Sequence, residues 1–143
     1  MNTNQFSTFM VDGRYYGVNV KLVQEITRPM PITKVPLSPV FIHGLINLRG
    51  QIATAVGVRE LFNLKSAPID ESSVYVVCKC DGLLLSLVVD EIADVLELED
   101  TDFEETPETV KSNVGQFMSG VYKIQNDILS VIDIKKLVDF LNK

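Results

Sequence analysis

Residues 74–89 read VYVVCKCDGLLLSLVV, two β-rich runs with Asp81-Gly82 between them. Asp-Gly between such runs is a strong signal for a two-residue hairpin turn, because both turn residues adopt positive φ. Residues 9–20, which read FMVDGRYYGVNV, repeat the pattern around Asp12-Gly13. The chain is therefore predicted to contain two hairpins of the same kind.

The similarity continues outward from the hairpins. Val23 and Ile26 recur as Ile92 and Val95 at an offset of 69 residues, and residues 44–56 recur as 120–132 at an offset of 76. Identical residues are few, so the match depends on apolar pattern and on turns that fall together. A fixed offset of this kind predicts an internal duplication.

Each copy has the same predicted order of elements: a hairpin, a short helical turn, a third strand, a second hairpin and a helix. The second hairpin turns at Arg49-Gly50 in one copy and at Gln125-Asn126-Asp127 in the other. Asp133 is the predicted N-cap of the last helix, whose apolar stripe begins at Ile134 and ends at Leu141. Gly57 holds the equivalent position in the first copy, which predicts a weaker cap there.

These elements predict a mainly β fold of two small barrels packed side by side, with short helices and a C-terminal helix. The chain is expected to be a single domain over residues 1–143. Its approximate subdomains are 12–70 and 71–143, with the N-terminal strand placed to pair across the boundary.

The net charge of −6 is unevenly distributed. Residues 1–72 carry seven basic and five acidic side chains, whereas residues 73–143 carry six and fourteen. Glu97 to Glu108 holds seven acids and no base, a run that predicts a solvated loop. This acidity argues against a small-barrel protein that binds nucleic acid, a remote alternative, because such proteins need a cationic surface.

The sequence also bears on location. No apolar run reaches the 18 or more residues of a membrane span, and the first residues, MNTNQFSTF, lack the basic and apolar regions of a secretory signal. A cytoplasmic protein without direct membrane insertion is predicted.

No catalytic pattern is present: a glycine-rich phosphate loop, HExxH and Gly-x-Ser-x-Gly are all missing. Cys78 and Cys80 are expected to be small core residues, and the only histidine, His43, to be a partly exposed turn residue. Asp90, with the acids that follow it, fits the N-cap and first turn of a short helix. We therefore predict no catalytic residue, no metal, no cofactor and no enzymatic activity.

Three motifs, in order, resemble the CheW family of bacterial chemotaxis coupling proteins: VQEI at 23–26, FIHGLINLRGQI at 41–52 and LVVDEI at 87–92. The resemblance extends from about Gln5 to Leu141. It implies two SH3-like barrels and an adaptor in two-component signal transduction, which couples the cytoplasmic helical hairpin of chemoreceptors to the regulatory domain of the histidine kinase CheA. The protein would then be recruited to receptor arrays at the inner face of the membrane.

The resemblance also implies a site. An amphipathic receptor helix would lie in a groove between the barrels, and its contacts would be Val20, Val23, Glu25, Ile26, Arg49 and Val95. Val23 is the expected anchor. The kinase is expected to contact barrel ends to which no residues are assigned. An alternative is a CheW-like scaffold of another chemosensory or motility pathway.

Overall fold

The computed structural model describes residues 2–106 and 114–142 of the chain. Within these residues the fold is mainly β, as predicted, and 3₁₀ turns occur at Val20–Leu22, Asp100–Asp102 and Val114–Phe117. The strands and helices are β1 (Thr3–Val11), β2 (Arg14–Asn19), β3 (Val23–Thr27), β4 (Ile42–Leu48), β5 (Gln51–Gly57), α1 (Val58–Leu61), β6 (Val74–Cys80), β7 (Leu83–Val89), β8 (Glu91–Glu99), β9 (Phe103–Glu105), β10 (Met118–Ile124), β11 (Asp127–Ile132) and α2 (Ile134–Leu141).

The strands form two sheets. The first sheet has the order β8-β1-β2-β11-β10-β9, and the second has the order β3-β6-β7-β5-β4. The predicted hairpins β1-β2 and β6-β7 are present, and their turns Asp12-Gly13 and Asp81-Gly82 have positive φ throughout, between 52° and 79°. Each sheet also contains one parallel pair, β2 with β11 and β7 with β5.

The two copies of the repeat exchange their first hairpins. β1 and β2 lie in the first sheet beside β8, β10 and β11 of the second copy, and β6 and β7 lie in the second sheet beside β3, β4 and β5 of the first copy. The register is equivalent in both sheets: Thr54 pairs with Leu85, and Ser130 pairs with Tyr16. The division between the sheets therefore does not coincide with the predicted boundary between residues 12–70 and 71–143.

Each sheet curls until its two ends are close. In the first sheet β8 and β9 lie at opposite ends of the strand order, yet only the three residues Asp100–Asp102 separate them along the chain. Glu99 and Phe103 are four residues apart and so at most about 14 Å from each other, which means that the ends of this sheet must be near each other. In the second sheet Thr33, shortly after β3, forms an antiparallel bridge with Leu45 of β4.

Three apolar clusters hold the barrels together. The largest, which we call the central core, combines side chains of both sheets, including Phe9, Val18, Val76 and Leu87, with Leu137 of α2. Alternate residues of the same strands turn the other way, into a smaller cluster within each barrel. Strands that are buried on both faces read as continuous apolar runs, which explains the composition of residues 74–89.

Two predictions for the second copy are wrong. Residues 89–95 contain no helical turn, because β8 begins directly at Glu91. The acidic run is not simply a loop either: residues 97–105 belong to β8, a 3₁₀ turn and β9, whereas Glu108 lies outside the described residues. Pairing of β8 with β1 and of β9 with β10 places the backbone of this segment in the first sheet and leaves its acids at the surface.

The predicted helix caps agree with the structure. The Asp133 side chain accepts a hydrogen bond from the backbone N–H of Lys136 at 3.0 Å, whereas Gly57, at the start of α1, provides no side-chain cap. Cys78 is buried in the central core and Cys80 packs against it, both as free thiols. None of the helices within residues 2–106 and 114–142 is long and apolar enough to cross a membrane.

Candidate protein-interaction surface

The outer strands β3 and β8 each carry exposed apolar side chains. β3 ends the second sheet and pairs with β6, and β8 ends the first sheet and pairs with β1. Ile26 on β3 is 44% exposed, and Val95, at the equivalent position on β8, is 59% exposed. The duplication therefore leaves an apolar side chain in water at the same position of both barrels.

An ion pair joins β3 to the turn between β4 and β5. Arg49 stands in that turn with φ of 51°, and its guanidinium donates a hydrogen bond to the carboxylate of Glu25. The hydrogen bond raises the pKa of Arg49. The Arg49 side chain is largely exposed, whereas that of Glu25 is mostly shielded. The pair links the turn between β4 and β5 to β3 at the surface.

The remaining two predicted contacts are less exposed. Val23 is half-buried and packs against the central core, so Ile26 and Val95 offer more apolar surface than the expected anchor does. Val20 lines a depression of about 270 Å³ together with Lys21 and Glu97. Glu97 is two residues from Val95 on β8, so this depression connects the 3₁₀ turn before β3 with the outer strand of the other sheet.

The expected open groove between the barrels is not present as such. The interior of the seam is filled by the central core, whose members come from both sheets and are almost fully buried. The side chains that stay accessible on or beside the outer strands are Ile26 and Val95, which are exposed, and Val20 and Val23, which are half-buried; we call these four side chains the rim. Val95 lies on the first sheet and Ile26 on the second, and the depression lined by Val20 and Glu97 lies between their strands.

The side chains of His43 and Glu60 occupy the space next to Gly57, where a side chain at position 57 would lie. His43 lies within β4, not in a turn as predicted, and its Nε2 is 2.9 Å from Oε1 of Glu60. A Cβ at Gly57 would overlap both side chains, with His43 Cε1 only 2.8 Å away. Partial burial by itself would raise the pKa of Glu60, but hydrogen bonds from Ser66 and His43 outweigh it and lower that pKa. Glycine is needed at position 57 because this pair occupies the space.

The second copy of the repeat has a different pair of residues at the two equivalent positions. Positions 43 and 57 correspond to Ser119 and Asp133, and the backbone bond from Gly57 N–H to Phe41 C=O recurs from Asp133 to Phe117, both at 2.7 Å. We expect Gly57→Asp alone to lower the free energy of unfolding by about 1 to 2 kcal/mol, because the new side chain displaces His43 and Glu60. We expect the double variant His43→Ser/Gly57→Asp to lose about 1 kcal/mol less free energy of unfolding than the two single variants lose in sum.

Urea denaturation of the four proteins gives this coupling free energy directly. Strictly additive effects would contradict the steric link between Gly57 and His43.

Pro29, Pro31, Pro36 and Pro39 predict only an extended path for residues 29–39, because proline does not suit a central strand. In the structure this segment and its continuation carry two highly exposed apolar side chains, Leu37 and Val40. The position of Leu37 between Pro36 and Pro39, in a stretch without a predicted partner strand, is the sequence feature that could have indicated its exposure.

The surface has the chemistry of binding. In the part of the chain that the structure describes, no three His, Cys, Asp or Glu side chains are grouped to hold a metal ion. Burial in the central core raises the pKa of the Cys78 thiol to about 12, which leaves it protonated and unreactive. The exposed apolar positions on β3 and β8 suit contact with another protein.

Comparison with known proteins identifies relatives over nearly the whole chain. The family model for the CheW-like domain matches residues 5–141. Chemotaxis protein CheW of Klebsiella aerogenes is 29% identical, over 94% of this chain and 81% of the relative, and that of Bacillus subtilis is 28% identical, over 92% and 84%. The crystal structure of scaffolding protein TtCheW from Thermoanaerobacter tengcongensis superimposes with a TM-score of 0.83 at 25% identity, and the match covers 92% of this chain and 89% of that one.

These matches confirm two SH3-like subdomains as the fold class. They also favour chemotaxis over a separate motility pathway or nucleic-acid binding, because each of the relatives named above is a chemotaxis or scaffolding protein.

Proposed function

The chain belongs to the CheW-like domain family and is a non-enzymatic chemotaxis adaptor, and we propose that it joins the cytoplasmic tips of chemoreceptors to the regulatory domain of the histidine kinase CheA. The observation that carries this proposal is the match of the family model to residues 5–141, which includes both barrels and both outer strands. The protein then works in the cytoplasm, at receptor arrays on the inner face of the membrane.

The proposed receptor contact is the rim formed by β3 and β8. A receptor helix with an apolar stripe buries Ile26 and Val95, which lose unfavourable contact with water. Arg49 is largely exposed, and the N–H groups that it does not donate to Glu25 can bind a carboxylate of the receptor. Val20 and Val23 contribute less apolar surface to the contact, since both are already half-buried in the free protein.

The kinase contact is proposed to lie elsewhere on the barrels. A scaffold must hold both partners at once, so the surface that binds the kinase cannot be the one that the receptor helix covers. This requirement makes the two binding activities separable by mutation.

We expect Ile26→Asp to weaken binding to receptor-bearing membranes at least about tenfold, because a carboxylate replaces an apolar contact. Thermal stability should change little, since the side chain is 44% exposed in the free protein. Val95→Asp should act in the same direction. Co-sedimentation with receptor-bearing membranes, with and without purified kinase, measures both affinities.

Ile128→Asp is the matched control. Ile128 is 56% exposed, close to Val95 in exposure, but it lies on β11, which β1 and β2 separate from β8. Receptor binding should survive this change. If Ile26→Asp and Val95→Asp bound receptors like the unmodified protein, the rim would not be the receptor site; if the unmodified protein bound neither receptors nor kinase, the adaptor function itself would be excluded.

A further inference from the structure

A cavity of about 400 Å³, which we call the Tyr122 cavity, opens into the barrel of the first sheet. Its apolar and aromatic walls are formed by Phe6, Leu22, Phe103, Tyr122, Val131 and Ile134. A cavity of this size suits a small organic molecule, and the mouths of β-barrels are common places for such sites. Ile26 and Val95 do not line it, so it is separate from the exposed part of the proposed receptor contact.

Three neighbouring aromatic rings form part of the wall. Phe6 and Phe103 flank Tyr122, and their ring centroids lie 5.4 and 5.3 Å from that of Tyr122. Phe6 and Tyr122 are almost fully buried, so the rings are held in place by the barrel around them. Aromatic rings pack well against an apolar body, and a ring that presents its face also attracts a cation within about 6 Å.

Carboxylates add negative charge to the cavity. Asp100 lines it, is exposed, and accepts a hydrogen bond from the side-chain amide of Asn4. An amide carries no charge, so this contact leaves the negative charge of Asp100 in place. Asp133 also lines the cavity, and it accepts its hydrogen bond from the equally uncharged backbone N–H of Lys136.

Lys135, a base among the described residues of the lining, does not cancel this charge. Its ammonium donates to the carboxylates of Asp81 and Asp139 at 2.6 and 2.8 Å. Two acids outside the lining therefore already compensate one base. The lining of the cavity stays negative as a result.

The whole barrel strengthens this negative potential. The strands of the first sheet and the turn Asp100–Asp102 carry nine acidic and two basic side chains, whereas the strands of the second sheet carry one of each. Burial raises the pKa of Tyr122, and the charges of Asp100 and Asp102 raise it further, so their field reaches the aromatic wall. A cleft that combines one sign of charge with apolar walls focuses the field and concentrates ions of the opposite sign.

We propose that the Tyr122 cavity binds a small organic cation that has an aromatic body and one protonated or quaternary amine. The aromatic body packs against the rings of Phe6, Phe103 and Tyr122, and the amine lies beside the carboxylate of Asp100. A neutral molecule of the same shape gains only the apolar contact, and an anion is repelled. This ligand site goes beyond the adaptor function, which needs no small molecule.

Three probes that share an indole body and differ in charge test the proposal. At about pH 7 tryptamine is a cation, tryptophol is neutral and indole-3-propionate is an anion. Isothermal titration calorimetry at low salt should give tryptamine a dissociation constant below about 1 mM and tryptophol one at least about tenfold higher, with indole-3-propionate weakest of all. Changes in amide NMR chemical shifts on adding tryptamine should centre on Phe6, Ser119 and Tyr122.

Asp100→Asn should weaken tryptamine binding at least about fivefold and leave tryptophol binding unchanged, because it removes the charge and keeps the shape of the side chain. Asp127→Asn is the matched control. It makes the same change of charge at an exposed residue of the first sheet that does not line the cavity, so tryptamine binding should stay within about twofold of the unmodified protein.

Four results would overturn the proposal: a dissociation constant of tryptamine above about 1 mM, tryptophol binding as tight as tryptamine binding, equal effects of Asp100→Asn and Asp127→Asn, or chemical-shift changes centred away from the cavity. Receptor co-sedimentation of Asp100→Asn without tryptamine should be normal. Failure of the ligand site and failure of the adaptor function are therefore distinguishable.

Discussion

Replacing Gly44 with alanine is expected to lower the free energy of unfolding by about 3 kcal/mol, the largest effect that we expect from any single methyl group in this protein. Gly44 lies in β4 with φ of 145°, which side chains rarely adopt. A Cβ there would overlap the carbonyl oxygen of Thr33 and approach Ile32 Cγ2 to 2.6 Å. The overlapped atom belongs to the backbone, so the strain cannot be relieved by a change of rotamer.

The bridge between Thr33 and Leu45 is the contact that Gly44→Ala should disrupt, because it passes directly over the glycine. Urea denaturation followed by circular dichroism measures the loss. Gly13→Asn is the matched control: Gly13 also has positive φ, at 72°, but a Cβ there would meet no atom within 4 Å, and asparagine tolerates that conformation. If the free energy of unfolding of Gly44→Ala lay within about 0.5 kcal/mol of that of the unmodified protein, the barrel would not depend on this close approach.

Gly120 repeats the arrangement in the other barrel. It is equivalent to Gly44, and its Cβ would overlap the carbonyl oxygen of Glu104 and approach Phe103 Cε1 to 2.8 Å. Glu104 and Phe103 belong to β9, the strand that closes the first sheet against β10. Each barrel therefore places a glycine where another backbone segment passes close by, at Thr33 in one barrel and at Glu104 in the other, and the two glycines align in the sequence repeat.

The exchange of hairpins could not have been predicted from the repeat. The offsets of 69 and 76 residues identify which strands are equivalent, and the structure agrees with them. Because the registers of the two sheets are also equivalent, β1 and β2 fit their own copy and the other copy by the same apolar pattern. Sequence similarity between copies makes the two pairings indistinguishable, so the choice depends on the connections in three dimensions.

The exposure of the proposed receptor contact was predicted in part. The equivalence of Ile26 and Val95 followed from the offset, and both are exposed. The burial of Val23 was missed because spacing alone does not say which face of a short strand meets the central core. The helical turn at residues 89–95 was wrongly predicted because apolar residues three apart fit a helix, whereas pairing with β1 holds this segment extended.

Arg59→Met is expected to lower the free energy of unfolding by about 2 kcal/mol, whereas Lys135→Met, the equivalent change in the second copy, should cost less than about 0.5 kcal/mol. The Arg59 Nε and Nη2 atoms donate to both carboxylate oxygens of Asp90, at 3.1 and 2.6 Å, and Nη1 donates to the carbonyl of Lys65 at 2.9 Å. The Arg59 side chain is 20% exposed. Lys135 contacts Asp81 and Asp139, but its side chain is 58% exposed, so water screens those pairs.

Arg59→Met should cost more than Lys135→Met because Asp90, the partner of Arg59, also holds a second contact at the connection from β7 to β8. One Asp90 oxygen also accepts a hydrogen bond from the backbone N–H of Asp12 at 2.8 Å, which ties the turn of the exchanged hairpin to the crossing. Burial alone would raise the pKa of Asp90, but the hydrogen bonds from Arg59 and Asp12 outweigh it and lower that pKa. A carboxyl whose pKa is lowered on folding adds stability above the unfolded pKa, near about 4, and this stability is lost as the pH falls through the folded pKa.

The difference in free energy of unfolding between the unmodified protein and Arg59→Met should therefore have its full value at about pH 6 to 7 and should decrease steadily below about pH 4. Urea denaturation at a series of pH values measures it, and Lys135→Met, carried through the same series, supplies the comparison. Methionine preserves much of the apolar volume of either side chain, so lost packing contributes equally little in both variants. Equal costs at positions 59 and 135, or a gap at position 59 that does not change with pH, would mean that the Arg59–Asp90 contact does not hold the exchanged hairpin in place.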